Sequence, residues 1–169
     1  MKKFLFGFVF GLIAVLVGAA LYFGTGMAPV ATSAPAMPFE RLLAGMALHS
    51  RIAKEMPSQA PIPADEANLA AGVKIYREQC AVCHGVTGQP ETAIAKGMFP
   101  HPPQLFEGHG VTDDPAGETY WKAANGIRLT GMPGFKGSLS DTQLWQVSLL
   151  LANADKLPAS VKAGVSAPK

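Results

Sequence analysis

The pentapeptide Cys80-Ala81-Val82-Cys83-His84 constrains this 169-residue chain more than any other feature of its sequence. Two cysteines separated by two residues and followed directly by a histidine are typical of a c-type haem attachment site. In such a site the two sulfurs form thioethers with the haem vinyl groups, and the histidine binds the iron from the proximal side. Because the chain has only 2 cysteines, Cys80, Cys83 and His84 predict one covalently bound haem c.

Three other chemistries compete for the cysteine pair. A structural zinc ion needs four ligands, and the nearest other histidines, His101 and His109, do not follow the ligand spacing of such sites. A thioredoxin-like redox pair belongs beside a βαβ pattern, whereas the residues around Cys80 favour a helix. A disulfide between Cys80 and Cys83 would close a loop too short to stabilise the fold much. The haem is therefore the favoured interpretation.

The N-terminal segment has no charged residue from Phe4 to Phe23. As a helix these residues span about 30 Å, the thickness of the hydrocarbon core of a bilayer. The alternative is a cleaved secretory signal, which has a shorter apolar region and a cleavage site close behind it. The nearest small-residue motif, 34–36, contains a proline and lies well past the apolar run. We therefore expect residues 1–25 to form a transmembrane anchor.

The distribution of basic residues predicts the orientation of this anchor. Lys2 and Lys3 precede the apolar run, and no basic residue follows it until Arg41. By the positive-inside rule the N-terminus stays in the cytoplasm and the rest of the chain is exported. The sequence therefore predicts a single-pass protein of a bacterial inner membrane with its haem domain in the periplasm.

Three glycines of the anchor, Gly7, Gly11 and Gly18, fall on one face of the predicted helix. A Gly-x-x-x-Gly face lets another membrane helix approach closely, so these residues predict a possible helix partner. The alternative is that glycine is simply frequent in membrane helices. Both interpretations stay open.

The charge of the chain excludes one large class of partners. The chain has 14 lysine and arginine residues against 12 aspartate and glutamate residues, a formal net charge of +2. Lys2 and Lys3 account for the whole excess, so the exported part is nearly neutral. Nucleic-acid binding needs a basic patch or stripe, and we therefore expect no nucleic-acid partner.

The remaining chain divides into three regions by composition. Residues 26–63 form a linker rich in small residues and proline, interrupted by a predicted amphipathic helix at 39–56. Residues 64–158 form the predicted haem domain, and residues 159–169 a flexible tail of small and polar residues. The apolar face of the 39–56 helix is predicted from Phe39, Leu42, Leu43, Met46 and Ala47.

The residues before the haem motif carry a family resemblance. Gly72, Tyr76 and Cys80 follow one another at intervals of four and resemble the first helix of a class I c-type cytochrome. The resemblance implies an all-α fold around one covalent haem, in which Gly72 lets the last helix of the domain cross closely. Here that fold is preceded by the transmembrane helix and the extra amphipathic helix. Ser140-x-x-Gln143 is a capping box that would begin the last helix.

The segment Pro103-Gln104-Leu105 resembles a second landmark of the same family. There a Pro-x-Leu segment follows the haem motif, and its proline carbonyl accepts a hydrogen bond from the ring nitrogen of the histidine that does not bind iron. Such a bond fixes the orientation and tautomer of the ligand. The resemblance implies this role for Pro103 toward His84, and a plain proline turn is the alternative.

The segment Gly131-Met132-Pro133-Gly134-Phe135 resembles the Met-Pro loop that supplies the sixth iron ligand in this family. Met132 is therefore the expected distal ligand, and a Met/His pair raises the reduction potential relative to two histidines. Met98 is the rival methionine, although it precedes the Pro-x-Leu segment. A site with two histidines would use His101 or His109 instead.

Two further residues are expected at the haem. A helix predicted to start at Asp114-Pro115 and to stop at Asn125-Gly126 carries Trp121, which would cover the haem unless it serves ordinary core packing. Arg128, just past the stop, would pair with a haem propionate.

Filled axial positions leave no open iron site for a substrate. The expected activity is therefore one-electron transfer by a carrier, not an enzyme on its own, between membrane redox complexes or other cytochromes of a respiratory or photosynthetic chain. One alternative is a haem c subunit permanently bound in a larger membrane oxidoreductase. Another is an open-site haem protein that binds a gas or reduces peroxide, which would require Met132 to be absent from the iron.

Overall fold

A computed structural model describes residues 1–106 and 114–166, and these residues form helices and loops without a β-strand. His109, named above, lies outside the described residues. The prediction of an all-α chain with an N-terminal apolar helix is confirmed. In chain order the α-helices are α1 (Lys2–Gly24), α2 (Glu40–Glu55), α3 (Glu66–Ile75), α4 (Ala81–His84), α5 (Ala93–Lys96), α6 (Ala116–Asn125), α7 (Asp141–Ala152) and α8 (Ala159–Ser166).

The chain divides into two compact units, Met1–Leu42 and Leu43–Lys169. In the first unit α1 is long and apolar enough to cross a membrane, and none of its residues is buried. Gly7, Gly11 and Gly18 each have open space where a side chain would start. The sequence predicted a boundary after residue 63, whereas the structural division falls inside α2.

The core of the second unit is the crossing of α3 and α7 at Gly72. A Cβ atom on Gly72 would lie 2.4 Å from the carbonyl oxygen of Gln146 and 3.0 Å from Cβ of Leu150. Only a glycine allows this approach, which buries Tyr76 and Leu150 completely. The crossing that the family resemblance implied is present.

Local capping fixes where the two crossing helices begin. Asp65 caps α3 by accepting a hydrogen bond of 2.9 Å from the backbone N–H of Asn68. Ser140 and Gln143 form the predicted capping box at the start of α7. Such caps satisfy backbone donors that have no partner inside the helix.

The predicted flexible tail is wrong for residues 159–166, which form α8. Val161 and Val165 are 3% and 2% exposed and belong to the same core as α3 and α7. Arg77 also donates a hydrogen bond of 2.9 Å to the carbonyl of Gly164. Two valines on one helical face bury enough apolar surface to order a segment whose other residues are small or polar.

The amphipathic helix α2 packs through a different face from the predicted one. Ile52 is its buried residue, at 2% exposure, whereas Leu43 and Met46 are 63% and 59% exposed. Phe39, with a φ of 64°, is excluded from the helix. Sequence periodicity alone could not choose between two apolar faces on one helix.

The start of α6 differs from the prediction by one residue. Pro115 is the N-cap and Ala116 the first helical residue. Asp114 does not cap the helix, because its carboxylate accepts a hydrogen bond of 3.0 Å from Nζ of Lys122. The predicted stop is correct: α6 ends at Asn125, followed by Gly126.

Candidate cofactor site

The cysteine pair and His84 lie on a widened helical turn. α3 continues into a π-helical turn, Tyr76–Cys80, in which the backbone N–H of Ala81 donates to the carbonyl of Tyr76. The short helix α4 follows and ends at His84. Single π-helical turns often occur at functional sites because they change the direction of the side chains that follow them.

Tyr76 ties this turn to the chain that leaves it. Its hydroxyl donates a hydrogen bond of 2.7 Å to the carbonyl of Gly85, and the edge of its ring packs against Phe106 at 4.8 Å between centroids. Burial, together with the nearby Cys80, raises the pKa of Tyr76, so its hydroxyl stays a donor. The two ends of the haem motif are thereby held at a fixed separation.

Cys80, Cys83 and His84 line a cavity of about 310 Å³. Met132 and Pro103 also line it, so the structure brings together five of the seven residues that the sequence predicts for the haem site. The remaining lining is mostly apolar and includes Met98, Leu105, Ile127, Phe135, Val147 and Leu151.

The imidazole of His84 is oriented by Pro103. The Nδ1 atom of His84 lies 2.8 Å from the carbonyl oxygen of Pro103, which is the contact that the family resemblance implies. A proton on Nδ1 makes this a hydrogen bond and leaves the lone pair of Nε2 for a metal. Burial lowers the pKa of His84 from its usual value, while the Pro103 carbonyl acts in the opposite direction. Burial thus favours the neutral imidazole, which is the form that can bind a metal ion.

The two cysteines are free thiols, both half-buried, with no disulfide between them. Burial, and secondarily the neighbouring Cys83, raises the pKa of Cys80 to about 12. Among the described residues, no three His, Cys, Asp or Glu side chains are gathered so that they could hold a metal ion by themselves. Two thiols, an oriented imidazole and a thioether around one apolar cavity fit a covalently bound haem.

The Met132 loop packs closely against the end of α6. Gly126 has a φ of 69°, and a Cβ there would lie 2.8 Å from the Met132 carbonyl oxygen. The backbone N–H of Ile127 donates to that oxygen at 3.2 Å, and the N–H of Phe135 donates to Ala123 at 2.9 Å. The loop is therefore held at both ends by backbone hydrogen bonds.

The rival methionine lies in the same cavity. Met98 lines it, and a Cβ on Gly131 would lie 2.2 Å from the Cε atom of Met98. The tip of Met98 thus packs over the residue that precedes Met132. Met132 stays the predicted ligand, and Met98 is the natural comparison because both methionines line the cavity.

Trp121 and Arg128, which the sequence predicts to contact the haem, are not among the described residues that line the cavity. The Nε1 atom of Trp121 donates a hydrogen bond of 3.1 Å to Glu55, which turns the indole toward the end of α2. Arg128 is exposed and lies beyond the Gly126 turn. The cation that does line the cavity is Lys122, paired with Asp114 at 3.0 Å and with Glu118 at 2.7 Å.

His101 also lines the cavity, but its Nε2 atom lies 3.2 Å from Oε1 of Glu91. That contact engages one of the two ring nitrogens with which His101 could bind a metal. His109 lies outside the described residues.

Leu48 and Lys122 are among the lining residues that sequence reasoning missed. Leu48 precedes the buried Ile52 by one helical turn, a spacing that would have identified this face of α2. Lys122 follows Glu118 by four residues, which indicates a helical ion pair but not the direction in which it faces.

Parts of this chain are similar in sequence to known proteins. A family model described as cytochrome c oxidase, cbb3-type, subunit III matches residues 67–149. A thiosulfate dehydrogenase of Stutzerimonas stutzeri (strain A1501) is 34% identical over 108 residues, which cover 61% of this chain and 34% of that protein. The chain thus spans about a third of the length of this curated relative.

A solved structure has a fold similar to that of part of this chain. A chain from a reducing HAO-like protein complex of Kuenenia stuttgartiensis superposes with a TM-score of 0.50 at 25% identity. The match covers 59% of this chain and 49% of that one.

Proposed function

From the premise that residues 67–149 of this chain form a c-type cytochrome domain, we propose that the protein is a membrane-anchored, mono-haem cytochrome that transfers single electrons between redox partners. The observation that carries the proposal is the apolar cavity lined by Cys80, Cys83, His84 and Met132. The Pro103 carbonyl beside His84 supports the assignment of this histidine as the proximal ligand.

Each of these residues has one part in the proposed activity. A bound haem c supplies an iron that accepts and releases one electron. Cys80 and Cys83 would hold it covalently, and Pro103 would keep the ring of His84 in one orientation. Met132, on a loop fixed by backbone hydrogen bonds, would be the second protein ligand of the iron and would keep water away. A coordination sphere that does not change favours rapid electron transfer.

The location of the activity is part of the proposal. α1 is a candidate anchor, and Lys2 and Lys3 on its N-terminal side favour a cytoplasmic N-terminus. The haem domain then lies in the periplasm of a bacterium, where it meets membrane complexes or other cytochromes.

A redox titration of the purified holoprotein, followed by its visible spectrum, tests the proposed activity. We expect one reversible one-electron transition, a low-spin ferric form and a ferrous form that does not bind carbon monoxide readily. A high-spin ferric form, or rapid carbon monoxide binding, would instead identify an open-site haem protein.

The names of the similar proteins favour a second candidate. The matching family model is described as an oxidase subunit, and the solved structure belongs to a reducing complex. In this second candidate function, the chain is a permanent haem subunit of a larger oxidoreductase. Affinity purification from mild detergent distinguishes the two: a subunit retains other chains through gel filtration, and a shuttle migrates alone.

The glycine face of α1 is a proposed contact for such a partner. Gly11→Leu would fill the face shared by Gly7, Gly11 and Gly18, whereas Ala20→Leu enlarges the opposite side of the helix. Loss of co-purifying chains in Gly11→Leu alone supports the contact. Equal retention in both variants rules it out.

A further inference from the structure

We propose that the second half of α2 forms one wall of the haem cavity through Leu48, excludes water there and raises the reduction potential. This inference rests on the proposed electron-transfer function. It gives a role to a helix that lies outside the residues matched by the family model, which begin at residue 67.

The first observation is the position of Leu48. It lines the cavity together with Cys80, Cys83 and His84, although it lies more than thirty residues before them in the chain. Ile52, one turn further along α2, is 2% exposed. These two side chains share one helical face, and that face is the one turned toward the haem domain.

The second observation is how the end of α2 is fastened to α6. The carboxylate of Glu55 accepts a hydrogen bond of 3.1 Å from Trp121 and lies 2.6 Å from Arg51. The Trp121 hydrogen bond is the main reason that the pKa of Glu55 is lowered. Beyond the helix, Pro57 approaches so closely that a Cβ on Gly117 would lie 1.9 Å from its carbonyl oxygen. α2 is thus held at its C-terminal end, next to the cavity.

The third observation is that the opposite side of the helix is exposed. Met46 lies roughly 160° around the helix from Leu48 and is 59% exposed. The helix therefore offers an inward and an outward apolar residue of similar size, two positions apart.

The expected effect of Leu48 on the reduction potential follows from the charge of the haem. A ferric haem carries one more positive charge than a ferrous haem, and water stabilises the more highly charged form. An apolar residue that excludes water therefore favours the ferrous form and raises the reduction potential. A polar residue in place of Leu48 should lower it.

The test compares Leu48→Ser with Met46→Ser in the full-length holoprotein. We expect Leu48→Ser to lower the reduction potential enough to raise the ferric-to-ferrous ratio at a fixed applied potential roughly threefold. Met46→Ser should leave that ratio unchanged. Equal ratios in both variants and the wild type, or equal shifts in both, would contradict the inference.

A second measurement covers the case in which Leu48→Ser does not fold. Trp121→Phe removes the hydrogen bond to Glu55 and should increase the rate of tryptic cleavage after Arg51 and Lys54, with a parallel fall in potential. If neither the cleavage rate nor the reduction potential changes, the inference that α2 is docked at the cavity is wrong. Failure of the proposed function is separate, because it shows in the wild type as the absence of a reversible one-electron transition.

Discussion

At the scale of single residues, the haem motif was predictable because its chemistry is local. The proposed roles of Cys80, Cys83 and His84 depend on a fixed spacing that is visible in the sequence. Trp121 and Arg128 were predicted to contact the haem, but they do not line the cavity. The sequence could not show this, because the direction of a side chain depends on the tertiary position of its helix. In the structure the indole of Trp121 finds Glu55, which is distant in sequence.

Tyr76→Phe tests the tie between the two ends of the motif. The change removes the hydroxyl that donates to Gly85 and leaves a buried carbonyl without its partner, which should lower the free energy of unfolding by about 1–3 kcal/mol. Urea unfolding of the holoprotein in detergent, followed by circular dichroism, measures the loss.

The matched control is Tyr120→Phe, which removes a more exposed hydrogen bond to Asp141. The side-chain hydrogen bond to Asp141 is the main reason that the pKa of Tyr120 is raised to about 12. We expect a smaller loss than for Tyr76→Phe, because water can replace the partner. Equal losses would show that the buried tie contributes no special stability.

At the scale of helices, starts and stops were easier to predict than packing. Asp65 and Ser140 cap their helices through contacts within four residues, so the sequence contains the whole signal. α8 was missed because its order depends on a core built from residues far earlier in the chain. The packing face of α2 was missed for the same reason: two apolar faces compete, and only the partner surface decides between them.

Val165→Ala tests whether α8 belongs to the folded domain. Val165 is 2% exposed, and removing two methyl groups from the core should cost about 1–3 kcal/mol. Lys162→Ala, on the exposed side of α8, should change stability by less than about 0.5 kcal/mol. If guanidinium unfolding gives the same midpoint for both variants, α8 does not pack on the core in solution.

At the scale of the whole molecule, the sequence predicted a membrane anchor and a c-type cytochrome domain, and it left open how the chain is used. Both the anchor and the haem motif are continuous segments with strong local signals. The choice between shuttle and subunit depends on surfaces that other proteins recognise. Because the chain after the apolar helix is nearly neutral, its net charge creates no strong electrostatic field that would identify those partners.

The mass of the intact protein tests the anchor directly. An uncleaved anchor predicts the full chain mass plus one covalently bound haem. A cleaved signal would give a protein that starts after the apolar run and stays soluble after membranes are removed. Mass spectrometry of the purified protein distinguishes the two and counts the haems.

The central claim is a six-coordinate iron held between His84 and Met132, and the ferric absorption spectrum tests it most directly. Thioether ligation gives a weak sulfur-to-iron charge-transfer band at the far-red end of the spectrum. We expect this band in the wild type and in Met98→Ala, and we expect its loss in Met132→Ala together with rapid carbon monoxide binding by the reduced form. Absence of the band from the wild type, or its loss in Met98→Ala with retention in Met132→Ala, would contradict the account.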